Sequence, residues 1–524
     1  MASQDKLIGL DDLIRRVEEL KSQGKVVVQS HGVFDLIHPG IIHHLNEARR
    51  VGDVLVVTVV RDEDVRRGPG RPVFPDKLRA QNVASLEMVD LVCIVPDDTP
   101  FECVKLISPS FFAKGQNHKQ RDKRVHDKIF ETERHLYFGR TQIFETHGVS
   151  FSSTQYINSN WDMYPQETRH FLRHLAQETG FDAIRDGINA LSGVRALIIG
   201  DGIIDEYHYC TAMGRAGKSN LVVNKHLMHE RFAGGVFAIA NHVANLCDHV
   251  RLVTLLGQDD SDQDFVSNCL DANIQADFFH RADGPTIIKK RYLDINSRQK
   301  IFEVNYLNEH DIERECEERV IEHLKSVLPD YDVVLVSDFG HGFISPAIIR
   351  VLEENARLLC VNTQTNAANT GFNMVTKYAK PDFICLDEAE ARLAMQNRFG
   401  DIRDVIESLA AAVPAKKIII TLGKNGSVGL SRGETPRFTP IFSSKVVDTI
   451  GAGDAVFSYA AICFAAGLPL ELIAFVGNVV GALAVQIVCN KKPVEKHEVL
   501  QFLSVILQQQ ENQPRPLYPG CECK

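Results

Sequence analysis

Three short runs rich in β-branched residues, 25–30, 54–60 and 91–95, are separated by stretches whose apolar residues recur at helical spacing, 41–50 and 76–88. Near-continuous apolar runs of this length suit strands buried on both faces, which means a parallel sheet covered by crossover helices. A further helical stretch, 8–22, precedes the first run, with Leu10, Leu13, Ile14, Val17 and Leu20 on one face and Gly24 as its stop. The alternation predicts a doubly wound α/β domain, whose ligands meet the carboxyl ends of its strands. A second core begins at Val194: residues 195–199 read as a buried strand ending at Gly200-Asp201, and 286–292, 333–338 and 418–422 read as further strands. For 524 residues, two α/β domains are the natural division. Between them, 158–191 is polar and helical in period, which predicts a helical linker docked on one domain, and 508–524 reads as a frayed tail.

Charge restricts the partners. Lys and Arg number 58 against 68 Asp and Glu, a net charge of −10, so the chain lacks the basic footprint of a nucleic-acid binder. Any phosphate must be met by local donors. No apolar run approaches the roughly 18–20 residues of a membrane span. The residues after Met1 lack the basic-then-apolar profile of a signal peptide, so a cytoplasmic protein with no membrane partner is expected. The 12 cysteines lie mostly inside apolar segments, which suits reduced, buried thiols.

The densest chemical signal is Val447-Asp448-Thr449-Ile450-Gly451-Ala452-Gly453-Asp454-Ala455-Val456-Phe457-Ser458. Three small residues lead into an apolar helix, so several backbone N–H groups converge at its N-terminus, where an anion is favoured. Asp454 stands in the first turn, beside that anion, where a carboxylate can take a proton from an attacking hydroxyl. As a bare motif this would serve equally as a capped glycine turn.

The whole run resembles the signature of the ribokinase-like (PfkB) carbohydrate kinases, in which the matching Asp is the catalytic base. The resemblance covers residues 194 to 503 and implies a ribokinase-like fold. It implies nucleotide contacts at Gly451, Ala452, Gly453, Thr421, Gly423 and Gly426, and sugar contacts at Asp201, Asp205, Gly234, Gly235 and Asn241. Lys289 or Arg291 is expected near a phosphate already on the substrate, and Asp338 near substrate or metal. Asp387 and Glu390 match the family's Asn-x-x-Glu, which orders Mg²⁺; Asp387 replaces the Asn and keeps an oxygen ligand.

The first half carries Gly32-Val33-Phe34-Asp35-Leu36-Ile37-His38-Pro39-Gly40 directly after its first strand. It resembles the cytidylyltransferase-like nucleotidyltransferases, with their Gly-x-Phe-Asp and His-x-Gly-His signature, and implies a Rossmann-like domain over 1–157 ahead of a kinase domain over 192–507. In that family paired histidines hold a triphosphate while a substrate phosphate attacks the α-phosphorus. His38 matches the first histidine; Ile41 occupies the place of the second, with His44 one turn further on as a stand-in. Val33, Phe34, Arg79, Lys114, Ser152, Ser153 and Thr154 match further nucleotide contacts, Lys114 among the catalytic groups.

Two phosphate sites imply consecutive phosphate chemistry on one metabolite. The pairing resembles the bifunctional proteins of ADP-heptose synthesis, in reversed domain order. It implies ATP and Mg²⁺ for a kinase acting on a sugar phosphate such as heptose 7-phosphate, ATP or CTP for a transferase acting on a sugar 1-phosphate, and, at family level, a homodimer. Two alternatives stay open: a single-function kinase whose first half binds nucleotide without turnover, and a CTP-dependent transferase acting on another alcohol phosphate. A scaffold is disfavoured by the ordered acid and glycine motifs.

Overall fold

A computed structural model describes residues 3–65, 72–96, 101–115, 141–146, 164–258, 260–297, 299–366, 369–442 and 446–511. The chain divides into two compact units, Met1–Pro165 with Gln501–Lys524, and Gln166–Leu500.

The first unit is built on five parallel strands, β1 (Val27–Gly32), β2 (Val54–Val60), β3 (Leu91–Val95), β4 (Phe111–Gly115) and β5 (Gln142–Thr146), in the order β3-β2-β1-β4-β5. Helices cover both faces. Leu45 and Ala48 from helix Pro39–Arg50, with Ala80 and Val83 from helix Asp76–Ala84, pack on Val28, Leu55, Val57 and Val59. Leu13 and Val17 from helix Leu10–Ser22 pack on Val27, Val56 and Cys93 from the other side. The strand order reverses between β1 and β4, and a crevice for ligands opens at such a switch point.

In the second unit the strands are β6 (Arg195–Arg215), β7 (Val222–Gly235), β8 (His249–Leu256), β9 (Ile274–His280), β10 (Ile287–Asp294), β11 (Lys300–Tyr306), β12 (Val333–Asp338), β13 (Leu359–Thr363), β14 (Phe383–Asp387), β15 (Lys417–Thr421), β16 (Ser427–Ser431) and β17 (Arg437–Thr439). A parallel core, β9-β8-β6-β12-β13-β14-β15, continues into the antiparallel β16 and β17. Helices Arg314–Val327, Pro346–Asn355 and Ile402–Ala412 supply Val320, Leu324, Ile348, Leu352, Val405 and Leu409 to one core cluster. Helices Ala452–Ala465 and Leu470–Ala484 are apolar all round, and each is buried along nearly its whole length.

One strand departs from the sequence expectation. Gly200-Asp201 does not end the first strand of this unit: β6 runs on to Arg215. Its first part pairs with β8 and β12, and its second part pairs with β7 and β10 in a smaller four-stranded layer. The glycines at this point let neighbouring groups pack closely against the strand. A Cβ on Gly200 would lie 2.1 Å from the Ser337 carbonyl oxygen, and one on Gly202 would lie 2.6 Å from the Phe237 ring.

Residues expected to form a helical linker include two helices of the second unit, Gln166–Glu178 and Gly180–Ala190, and Phe171 packs there against Phe442 and Phe475 with ring centroids 6.2 and 6.0 Å away. Helix Lys496–Glu511 runs past 508, where the tail was expected to begin; residues 512–524 lie outside the described residues. The ten described cysteines are all free, and all but Cys269 are buried. No helix among the described residues is long and apolar enough to cross a membrane.

Because the Ser337 carbonyl belongs to the adjoining strand and cannot swing away, Gly200→Ala is expected to destabilise the second unit by about 1–3 kcal/mol or more. Gly193→Ala, where a Cβ meets nothing within 4 Å, should be near neutral. Thermal unfolding of the two variants side by side checks this.

Candidate active site

In the second unit the motif residues converge at the carboxyl ends of the core strands. Asp201 and Asp205 lie four residues apart on β6, so their side chains share one face. Asp338 closes β12, Asp387 closes β14, and Thr421 closes β15 in register with Asp387. Gly451 adopts φ +80°, a left-handed conformation natural to glycine, and starts the helix whose first turn carries Asp454. Among the described residues no backbone carbonyl takes the N–H of Gly453 or Asp454, while a Cβ on Gly453 would meet nothing within 4 Å. Two amides at this helix N-terminus are therefore without a main-chain acceptor among the described residues.

Asp454 is buried, and its Oδ1 accepts a hydrogen bond from Gln364 Nε2 at 2.6 Å. Burial raises its carboxyl to about 7, with Gln364 opposing; Asp205 raises it further and Lys289 lowers it. Asp201 is likewise raised to about 7, first by burial and then by Asp338, although Phe339 N–H and His341 N–H both donate to its Oδ2, at 2.9 and 3.5 Å. Asp338 accepts from Tyr378 Oη at 2.6 Å and pairs with Lys377 at 2.5 Å. These groups act electrostatically on one another, so they lie close together.

Asp205 is ion-paired with Arg291, and a Cβ on Gly234 would lie 2.0 Å from its Oδ2, so Gly234 is what lets the carboxylate approach the β7 turn. Gly235 (φ +53°) then opens helix Val236–Ala244. Arg291 also binds Glu303 at 2.7 Å. Its guanidinium is therefore engaged between two carboxylates, and the cation facing the cleft is Lys289, whose ammonium sits 5.5 Å from the Phe339 ring centroid. Burial lowers the proton affinity of Lys289, which Asp205 partly restores.

Asn241 departs from the expected sugar contact. Its Nδ2 donates to the Cys269 carbonyl at 2.9 Å and its Oδ1 accepts from Asp271 N–H at 3.0 Å, so the amide clasps the end of helix Asp260–Cys269. Asp387 and Glu390 form a capping box: Asp387 Oδ1 accepts from Glu390 N–H at 2.7 Å, and Glu390 Oε2 accepts from Asp387 N–H at 3.0 Å. Burial, and then Asp387, push the Glu390 carboxyl well above the usual carboxylate range. No group of three or more His, Cys, Asp and Glu among the described residues is set to hold a metal ion. Gly423 (φ +55°) and Gly426 (φ +86°) shape the turn after β15, and a Cβ on Gly426 would lie 2.1 Å from the Thr439 carbonyl.

Two residues here escaped the sequence reading. Gln364 orients Asp454, and Asn490 places its Oδ1 2.0 Å from where a Cβ on Gly451 would be and its Nδ2 3.5 Å from the same point on Gly234. Asn490 thus touches both glycine turns. Neither residue stands in a recognisable motif.

In the first unit, the turn after β1 carries Val33, Phe34, Asp35 and His38. Phe34 takes φ +52°, rare for a bulky residue. His38 caps helix Pro39–Arg50, its Nδ1 accepting from Ile41 N–H at 3.4 Å, which leaves the ring proton on Nε2. Burial lowers its proton affinity. Lys114 lies near the carboxyl end of β4, next to β1 across the switch point.

Arg79 departs furthest from expectation. It is fully buried, and its guanidinium donates to the carbonyls of Phe74 (2.8 Å), Val33 (2.5 Å) and Val60 (2.7 Å) and to Asp62 Oδ1 (2.7 Å). Asp35 completes the knot by accepting from Val73 N–H and Phe74 N–H, at 2.8 and 3.0 Å. Arg79 holds the loops of the crevice together, its guanidinium engaged by the protein itself. His44 is no stand-in either: Nε2 bonds Ser30 Oγ at 2.9 Å, Nδ1 bonds Thr146 Oγ1 at 2.7 Å, and burial lowers its pKa to about 4. Ile41 packs against the apolar cluster of this unit. Ser152, Ser153 and Thr154 lie outside the described residues.

Arg79→Met is expected to lower the stability of the first unit by about 3–5 kcal/mol, because it strands Asp62 and three carbonyls without their buried partner. A variant that melts like its parent but binds nucleotide weakly would return Arg79 to the ligand.

Comparison with known proteins adds an independent view. The profile of the family described as pfkB family carbohydrate kinase matches residues 195–492, and the profile described as Cytidylyltransferase-like matches residues 30–159. The chain is 39% identical over 121 residues to the bifunctional protein HldE of Methylobacillus flagellatus, covering 23% of this chain and 25% of that protein. With HldE of Koribacter versatilis it shares 24% identity over 311 residues, 59% of this chain and 63% of that protein. The chain thus spans about a quarter of the length of the first of these relatives. Among solved structures, phosphofructokinase-2 from Escherichia coli in its tetrameric inhibited form superposes with a TM-score of 0.49 at 13% identity, over 60% of this chain and 99% of that one.

Proposed function

The chain belongs to the pfkB family of carbohydrate kinases, and from that premise we propose a bifunctional enzyme of nucleotide-sugar synthesis. The second unit phosphorylates a sugar phosphate, of the kind of heptose 7-phosphate, with ATP. The first unit joins a nucleotidyl group to a sugar 1-phosphate.

The observation that carries the kinase reading is Asp454, a buried carboxyl raised to about 7 in the first turn of a helix, where the N–H groups of Gly453 and Asp454 have no main-chain acceptor among the described residues. A base with that proton affinity takes the proton of a sugar hydroxyl near neutral pH. The hydroxyl oxygen bonds to the γ-phosphorus, the bond to the ADP oxygen breaks, and the proton stays on Asp454. The N–H groups of Gly453 and Asp454 face the charge on the phosphoryl oxygens, which is where preorganised donors lower a barrier. Lys289 offers the cation for a phosphate carried by the substrate.

Asp387 and Glu390 fit Mg²⁺. Two neighbouring carboxylates with Glu390 raised by burial and mutual repulsion are relieved by a cation, and Mg²⁺ commonly takes only one or two carboxylates beside phosphates and water. Asp387 and Glu390 would hold the ion, which would supply positive charge to the nucleotide phosphates.

For the first unit, support comes from the Nε2–H of His38 and from Lys114, donors on either side of the switch point. They suit a sugar-phosphate oxygen attacking the α-phosphorus of ATP or CTP as pyrophosphate leaves. A second reading has its own observation: Ile41 is packed apolar and both nitrogens of His44 are engaged, which leaves the second histidine of the signature without a substitute. On that reading the first unit binds nucleotide without turnover.

Phosphorus NMR with Mg²⁺, ATP, CTP and heptose 7-phosphate, followed by heptose 1-phosphate, tests both steps. A new phosphomonoester and then pyrophosphate with a diphosphate diester are expected; a monoester with no pyrophosphate favours the second reading. Asp454→Asn should lower the kinase kcat by about 10²–10⁴. As the carboxyl must be ionised to act, kcat/KM should rise about tenfold per pH unit below about 7 and level off above it. An unchanged rate in Asp454→Asn removes Asp454 as the base.

A further inference from the structure

The loop after β12, Phe339-Gly340-His341-Gly342, is held by its backbone. Asn369 Nδ2 and Asn366 Nδ2 both donate to the Phe339 carbonyl, at 2.7 and 3.2 Å, and Asn373 Nδ2 donates to the Asp338 carbonyl at 2.9 Å. Asp201 Oδ2 takes the N–H groups of Phe339 and His341. Gly340 and Gly342, at φ +69° and +86°, bracket His341, and a Cβ on Gly342 would lie 2.1 Å from the His310 carbonyl. The ring of His341 is therefore presented by a fixed loop and not by bonds of its own.

That ring is 2% exposed, yet neither Nδ1 nor Nε2 has a hydrogen-bond partner among the described residues. The same is true of Oδ1 of Asp201, whose other oxygen holds this loop. Lys289 exerts its charge on both groups. Buried polar atoms are almost always bonded, so neighbouring exceptions beside a cation call for a ligand that brings both donors and acceptors.

We infer that His341 is a substrate-binding and specificity residue of the second unit, taking a sugar hydroxyl on its imidazole while Asp201 Oδ1 takes the proton of another. The inference rests on the reading of this unit as a sugar kinase. A neutral imidazole donates through one nitrogen and accepts through the other, as a hydroxyl does. Burial, and then Lys289, lower the ring to about 3, so it stays uncharged through the neutral range and selects a hydroxyl, not a phosphate. The phosphate falls to Lys289.

The test uses the full chain and three probes, heptose 7-phosphate, fructose 6-phosphate and ribose, titrated calorimetrically with and without a non-hydrolysable ATP analogue. His341→Phe keeps a planar ring and removes both nitrogens; His341→Asn restores one polar end. We expect at least one probe to bind the parent, His341→Phe to weaken it by about 10- to 100-fold, and His341→Asn to recover part of the loss. Affinity for the ATP analogue should be the same in all three proteins. Should His341→Phe melt early, His341→Gln is read in its place. Equal sugar affinity in parent and variant, or binding of none of the three probes, overturns the assignment. A probe bound through His341 but never phosphorylated from Mg-ATP would overturn the kinase reading and leave the assignment standing.

Discussion

The second unit depends on burying Asp201, Asp205, Asp338, Glu390 and Asp454 about one cleft. Charge in an apolar interior is tolerated only when it is paired, bonded or neutralised by protonation. Each carboxyl meets that requirement differently. Asp205 has Arg291, Asp338 has Lys377 and Tyr378, Glu390 has the backbone of its own capping box and of Thr365, and Asp454 has a single amide from Gln364. Where the partner is a cation, its charge stands directly against that of the acid. Where it is a neutral donor the acid is left near its titration point, as a base must be. Asp201, Glu390 and Asp454, which have no cation of their own among the described residues, are the acids that burial raises.

That distinction was only partly legible in the sequence. Gly451, Gly453 and Asp454 were, because the whole run from Val447 to Ser458 resembles a kinase signature where the bare glycine turn would not decide, and the ends of β12, β14 and β15 were marked by acids or hydroxyls after apolar runs. The end of the first strand was misplaced at Gly200-Asp201 because a glycine that lets another chain come close is recognised only with the neighbouring Ser337 backbone in view. Arg79 and Asn241 were misassigned for a related reason. Both side chains bind phosphates and sugars well, and the same donors bind backbone carbonyls equally well. Gln364, Asn490 and His341 carried no signal at all, since their importance lies in what the fold places beside them.

In the first unit the groups around the switch point are bonded largely to one another. His44 is held between Ser30 and Thr146, and Asp35 grips two successive amides, so the polar groups under the switch point satisfy one another. The capping histidine and the lysine of β4 lie on either side of that point.

Most of the bonds made by Arg79 end on main-chain carbonyls, at Val33, Val60 and Phe74. Every amino acid carries that oxygen. Substitutions at those three positions therefore leave the knot intact, whereas position 79 accepts no other side chain with its forked set of donors. Among descendants of this sequence, the crevice wall should drift freely in side-chain identity around one arginine that does not change, and a cast of the wall in backbone atoms would look the same in all of them.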